Sequence, residues 1–183
     1  IEYESCRPGG KSRTDTIEMH LRRSGAKSAA INRVPAQKIN ELFGCIHTVL
    51  FSPEDLSLIK EGPAKRRRFM DMEICQVDKV YLHYLQQYQI LLRQRNQLLK
   101  DMVRKGTEKE LVSVYDEQFA EYACRLIRRR REFLEQLSRI APKIHEQITG
   151  NTEKIEFLYE ANALENQEQI LRSLEQNLEQ DLR

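Results

Sequence analysis

The chain has 183 residues, 40% hydrophobic and 32% charged, with 30 Lys and Arg against 28 Asp and Glu for a formal charge of +2. That is apolar content enough for a core, and the mean hydropathy of -0.65 implies much exposed helix surface; the net field is too weak to imply nucleic acid by itself. Cys6, Cys45, Cys75 and Cys124 form no CxxC pair, which argues against a zinc site or a secreted disulfide framework, and no window approaches the roughly 18 apolar residues of a membrane span. A cytoplasmic protein with no membrane partner is expected.

Three strands open the chain, over Ile1 to Cys6, Thr14 to Leu21 and Lys27 to Arg33, joined by turns at Pro8-Gly9-Gly10 and Ser24-Gly25. In the second, Ile17, Met19 and Leu21 alternate with Thr16, Glu18 and His20, the period of a sheet with one buried face. Pro35 opens a short helical pattern that stops at Gly44, and Cys45 to Phe51 reads as a buried strand. Ser52-Pro53-Glu54-Asp55 then starts a helix: Ser52 caps, Pro53 takes the first position and Asp55 the acidic place of a capping box. Gly62 ends that helix and Pro63 starts another.

From Val77 to Lys105, Tyr81, Leu85, Tyr88, Leu92, Leu99 and Met102 keep a spacing of three and four, with Arg95 interrupting the stripe. Gly106 breaks this helix, and Thr107 with Glu110 caps a longer one through Tyr115, Phe119, Tyr122, Leu126, Phe133, Leu137, Ile140 and Ile144. The two are expected to pair antiparallel, with Pro142 kinking the second. After Gly150-Asn151 a strand is predicted over Ile155, Phe157 and Tyr159, followed by a last helix capped by Asn162 with Glu165 and running to Arg183. The predicted fold is α+β, an antiparallel meander with short helices and a long helical hairpin. Its parts are residues 1–62 with the meander, short helices and buried strand, 63–150 with the helical hairpin, and 151–183 with a strand and a last helix.

The tripeptide Gly10-Lys11-Ser12 imitates the end of a phosphate-binding loop, but position 5 is Ser5 rather than glycine and a strand, not a helix, follows; a hairpin turn is the better reading. His20, His47, His83 and His145 sit singly, so neither a catalytic nor a metal-ligating set is assigned. Two basic clusters remain. Lys65, Arg66, Arg67 and Arg68 follow the Ser52–Asp55 turn and suit phosphate or DNA contact, with Asp71 and Glu73 as intramolecular partners in the opposing reading. Within Arg128 to Arg131, Arg128 and Arg131 are DNA candidates, against a solvated face or salt bridges to Glu132 and Glu135. Four consecutive helical residues span about 300 degrees, so only part of either cluster faces one ligand. Arg95-Asn96 is read as organising polar contacts between helices.

Phe51-Ser52-Pro53-Glu54-Asp55-Leu56, followed by Arg67-Arg68-Phe69 and Asp71, resembles the RecF family of recombination mediators. Gln76, Tyr81, Leu85, Tyr88, Gln94-Arg95-Asn96 and Leu98-Leu99-Lys100 are similar to its first arm helix, Asp116, Phe133 and Leu137 to its second, and Ile148-Thr149-Gly150 with the strand ending at Tyr159 to its return to the head. The resemblance runs from about Thr14 to Tyr159.

The resemblance implies part of an ABC-type ATPase head of the SMC and Rad50 kind with a helical arm, in a parent that binds ATP and Mg, dimerises around ATP, binds gapped or double-stranded DNA and partners RecR and RecO in recombinase loading. The Walker A loop is expected upstream of this sequence and the signature and Walker B segments downstream, so the chain alone is expected to bind no cofactor and hydrolyse no ATP. By position the Ser52–Asp55 turn resembles the family's counterpart of the Q-loop, without the glutamine. Glu54 and Asp55 then either approach the nucleotide's magnesium or serve only as helix-start acids. The competing class is a non-enzymatic helical protein-interaction module.

Overall fold

The computed structural model describes residues 2–6, 12–105, 109–161 and 166–182. The chain divides into two compact units, Ile1–Asp55 with Cys75–Lys79, and Leu56–Ile74 with Val80–Arg183. It is α+β, as the sequence predicts.

The first unit is an antiparallel meander of β1 (Glu2–Cys6), β2 (Ser12–Leu21), β3 (Lys27–Ile31) and β4 (Val34–Pro35), in that spatial order. The long β2 serves two neighbours, pairing β1 along Ser12–Thr16 and β3 along Ile17–Leu21. Gly25, at φ 84°, supplies the left-handed step of the β2–β3 turn. The third predicted strand ends two residues early: Asn32 and Arg33 both have positive φ, which turns the chain sharply into β4. Asn32 stabilises this turn by accepting from the Thr16 N–H at 2.8 Å and donating to Asp15 at 2.7 Å. Pro35, predicted to begin a helix, closes an edge strand, where its missing N–H costs nothing; a 3-10 turn follows over Ile39–Leu42. Gly44 has φ 76°, as its place after a helical turn requires, and a Cβ there would meet Lys79 Cε at 3.0 Å.

Three expectations need correction. Of the β2 face only Ile17 is buried, while Met19 and Leu21 are 51% and 69% exposed. Cys45 to Phe51 is no strand, because no strand among the described residues pairs with it; Val49, Leu50 and Phe51 are 95%, 80% and 85% exposed. Residues 155–159 likewise form no strand and pair with none among the described residues. An apolar alternating run encodes a strand only when a second backbone satisfies its ladder.

The second unit is helical, with α1 (Ser57–Lys60), α2 (Pro63–Val77), α3 (Lys79–Lys105), α4 (Lys109–Ile148) and α5 (Gln167–Asp181). The α3–α4 hairpin is antiparallel: Arg95 meets Asp116, Tyr88 stacks on Phe119 at 4.7 Å, Tyr84 lies 6.1 Å from Tyr122, and Tyr81 reaches Arg130. Partners thus climb one helix as they descend the other. Tyr81, Val112 and Leu126 are fully enclosed. The helix continues through Pro142 to Ile148, so the proline does not end it. The predicted caps Thr107 and Asn162 with Glu165 lie outside the described residues; the cap seen on α5 is Asn166, whose side chain accepts from Glu168 and Gln169 N–H. Ile170 of α5 packs on Ala120 and Ile127 of α4.

Asp71 of α2 ties three helices together. It accepts from Arg130 Nε at 2.8 Å and Nη2 at 2.9 Å and from the Tyr81 hydroxyl. Burial, then the Asp71 carboxylate, hold the Tyr81 phenol well above the ordinary tyrosine range, outweighing the opposing Arg130 charge. Burial opposes the Arg130 charge, but the hydrogen bond to Asp71 and the neighbouring acidic groups outweigh it, so its proton is held more tightly than in a free guanidinium.

Asp71→Ala strands the Arg130 charge in a mostly buried place and is expected to cost about 3 kcal/mol in urea unfolding, with Arg130→Met less than additive on top of it; additive losses would show that the two do not interact. A raised folded pKa contributes stability that is complete below the unfolded value of about 10 and is lost as pH climbs toward the folded one. Tyr81 is therefore expected to stay protonated in an absorbance titration after exposed tyrosines have ionised, and to ionise with alkaline unfolding; simultaneous titration of every tyrosine would contradict this.

Candidate functional site

In the Ser52–Asp55 turn the acidic half of the predicted capping box is present, while the Ser52 hydroxyl, predicted to cap backbone donors, is engaged with the Glu54 carboxylate. Pro53 opens a 3-10 turn over Pro53–Leu56, the Ser52 N–H donates to Asp55 Oδ2 at 2.7 Å, and the Asp55 N–H donates to the Ser52 carbonyl at 3.0 Å. Backbone N–H donation, then the Ser52 hydroxyl, hold the Glu54 carboxyl below the usual carboxylate range. This is capping geometry, which satisfies the backbone donors of a helix start. Among the described residues no group of three or more His, Cys, Asp or Glu is placed to hold a metal. The geometry thus accounts for Asp55 as a helix-start acid, while the Glu54 carboxylate accepts locally and stays exposed.

Residues 7–11 lie outside the described residues, but Ser12 pairs with Cys6 in the β1–β2 ladder rather than opening a helix. A triphosphate needs converging backbone N–H groups at a helix N-terminus. The described residues supply no glycine-rich strand-to-helix loop and do not by themselves fit that group.

The first basic cluster lies at the start of α2 with all four side chains exposed. Its members are not equivalent. Arg66 Nη1 donates to the carbonyls of Leu58 at 3.1 Å and Glu61 at 2.9 Å, finishing α1, and Lys65 pairs with Glu61 at 3.5 Å. Arg67 and Arg68 are exposed as well, with the Arg67 charge close enough to Tyr88 to act on its phenol. Asp71, the acid weighed as their partner, is instead engaged by Arg130 of the second cluster.

In that second cluster the helical twist separates four consecutive arginines into different environments. Arg130 turns inward to Asp71, Arg129 pairs with Glu132 at 3.0 Å, Arg128 is exposed and Arg131 is half-buried. The salt-bridge reading therefore holds for Arg129 and Arg130.

The interruption at Arg95 is resolved by the seam. Arg95 is 5% exposed and donates Nε to Asp116 at 2.6 Å and Nη1 to Asp181 at 2.9 Å, while Nη2 is buried without a hydrogen-bond partner among the described residues. Burial works against its charge, yet hydrogen bonds to Asp116 and Asp181 outweigh that and raise its pKa. Sequence periodicity located Arg95; the role of Asp181, 86 positions away, carries no local signal. No helix among the described residues is long and apolar enough to cross a membrane.

No family model matches the chain. It is 49% identical over 144 residues to the DNA replication and repair protein RecF of Agathobacter rectalis, covering 79% of the chain and 40% of that relative. With the RecF of Clostridium perfringens the identity is 40% over 176 residues, 94% of the chain and 48% of the relative. Among solved structures it is similar to the recombination mediator protein RecF-ATPrS of the RecFOR pathway, with TM-score 0.83 and 34% identity over 93% of the chain and 49% of that protein. A RecF-ATP structure matches at TM-score 0.80 and 33% identity, over 92% and 47% respectively. The chain spans about half the length of the curated relatives it matches. Likeness in both residues and backbone over nearly the whole of the chain shows that it belongs to the RecF family.

Proposed function

We propose that this chain contributes part of the head and the helical arm to a RecF-like ATPase of recombinational repair, in which it makes some of the DNA contacts. The observation that carries this reading is its likeness to a recombination mediator named as part of the RecFOR pathway, at TM-score 0.83. In this reading ATP and Mg are gripped by portions of the parent beyond these residues, and the parent dimerises around ATP on gapped or double-stranded DNA. RecR and RecO are its partners in recombinase loading, and the setting is the cytoplasm. The Ser52–Asp55 turn is the coupling element, sitting at a helix start where small backbone shifts re-aim the helical segment beyond it; Glu54 is its nucleotide-side acid and Asp55 its internal brace.

Arg67 and Arg68 are the principal DNA contacts in this proposal, supported by their exposure and by the internal engagement of Arg66, which leaves the pair as the outward part of the cluster. Lys65 adds charge at its edge, and Arg128 and Arg131 extend contact along α4. Sequence-blind phosphate binding needs this arrangement of guanidiniums rather than base-reading side chains.

A second reading, a helical module that binds protein, is favoured by one observation. Ile140, Ile144 and Ile148 recur every fourth residue on α4 and are 59%, 50% and 79% exposed, an apolar ridge with no cover among the described residues. It is compatible with the first reading, since an arm can hold both DNA and protein.

Two measurements test the proposal. The chain alone is expected to show no ATP turnover, whereas hydrolysis at the rate of a whole RecF protein would refute the division of labour. In the full-length parent, Arg67→Glu with Arg68→Glu is expected to weaken duplex DNA binding about tenfold or more at moderate salt and to reduce the slope of log K against log salt by about 2; an unchanged slope would remove this cluster from the interface.

A further inference from the structure

The two halves of α5 are held in different ways. Asn166 caps its start, the Gln167 amide donates to the Glu117 carbonyl of α4 at 3.3 Å, and Ile170, Leu171 and Leu174 pack with Ala120 and Ile127 in one cluster. Beyond Leu174 no side chain is fully buried among the described residues: Leu178 and Leu182 are half-buried and the others are exposed. The last turn carries Glu179 and Asp181 and no basic residue, an arrangement that the negative end of the helix dipole disfavours. The compensating cation comes from another helix, through Arg95 Nη1 of α3, which donates to Asp181 Oδ2 at 2.9 Å.

We propose that the Asp181–Arg95 pair is a latch, from which the C-terminal half of α5 releases while the Arg95–Asp116 layer stays closed. The two carboxylates on Arg95 differ in a way that supports this. The Asp116 side chain is 7% exposed and meets Arg95 at 2.6 Å, so losing that contact would leave charge uncompensated in the seam. The Asp181 side chain is 38% exposed and regains water as it leaves. Two carboxylates on one guanidinium also leave the layer one negative charge in excess, and departure of Asp181 leaves a neutral buried pair. Opening therefore strands no ion. It does remove the cation that offsets the helix dipole, so the freed turns unwind as they leave, with the Leu174 contacts as the fulcrum. A cationic side chain of a binding partner that competes for Asp181 shifts the latch open.

Hydrogen exchange of the full-length parent, read by mass spectrometry on peptides from α3, α4 and α5, tests the latch. Asp181→Ala raises intrinsic helix propensity and so works against the expected result. It is nevertheless expected to speed exchange of the 176–182 amides about fivefold or more, while amides around Arg95 and Asp116 keep their rates. Asp116→Asn is expected to speed exchange in α3, α4 and α5 together, because it opens the seam itself. Raising salt from about 0.05 to about 0.5 M is expected to speed the 176–182 amides of the unaltered protein by screening a partly exposed pair, and to leave those of the Asp181→Ala variant unchanged. The Asp181→Ala and salt comparisons decide the matter even where Asp116→Asn fails to fold. The latch is overturned if Asp181→Ala leaves the 176–182 rates as they were, if it accelerates the hairpin equally, or if salt acts alike on the variant and the unaltered protein.

Discussion

One buried ion pair sets the register of the helical hairpin. Arg95 breaks the apolar stripe of α3 and Asp116 breaks that of α4, and the two breaks meet face to face at 2.6 Å. Sliding either helix by one turn would bury a guanidinium and a carboxylate each against hydrocarbon, at a cost of several kcal/mol per ion. The neighbouring layers are far less selective, since leucines and aromatics accept many neighbours of similar size. A polar pair at a single seam layer thus specifies the alignment that the Tyr88–Phe119 and Tyr84–Tyr122 contacts then fill. Asp181 extends the same constraint to the end of α5, fastening a third helix to the hairpin.

A second polar centre, Asp71 with Arg130 and Tyr81, joins α2 to both arm helices. Between the two centres lies an apolar interior with Ala120 and Leu126 at its most enclosed points, and Val112 is enclosed beyond the Arg95–Asp116 layer. This division explains how a chain with so many charges folds: its charged residues are sorted by helical phase into a few that are buried and paired and many that remain wet. The sorting also separates the arginines within each run. Arg66 and Arg130 serve the fold, whereas Arg67, Arg68 and Arg128 project outward, although no difference in residue type distinguishes them.

The apolar surfaces left open follow the same physical rule in reverse. Val49 to Phe51 and the ridge of Ile140, Ile144 and Ile148 have the composition of buried elements and yet are exposed. A strand or helix face is stabilised by the surface packed against it, and the described residues supply no such surface at these two places.

Periodicity and turn chemistry alone determined the local architecture: the meander, the glycine turns at Gly25 and Gly44, the Asp55-braced turn at Ser52 and the two long amphipathic helices. Those features depend on neighbours within a few residues, where steric and hydrogen-bonding preferences are written in residue type. The FSPEDL string with the arm residues likewise carried the family resemblance. Tertiary structure alone decided that Asp71 belongs to Arg130 and not to the preceding arginines, that Asp181 completes the Arg95 layer, that the apolar runs at 45–51 and 155–159 lack a ladder partner among the described residues, and that Phe157 and Tyr159 line one groove with Arg131 and Arg139. Each of these joins groups far apart in the chain, and a one-dimensional pattern records which groups seek partners without recording which partner comes within reach.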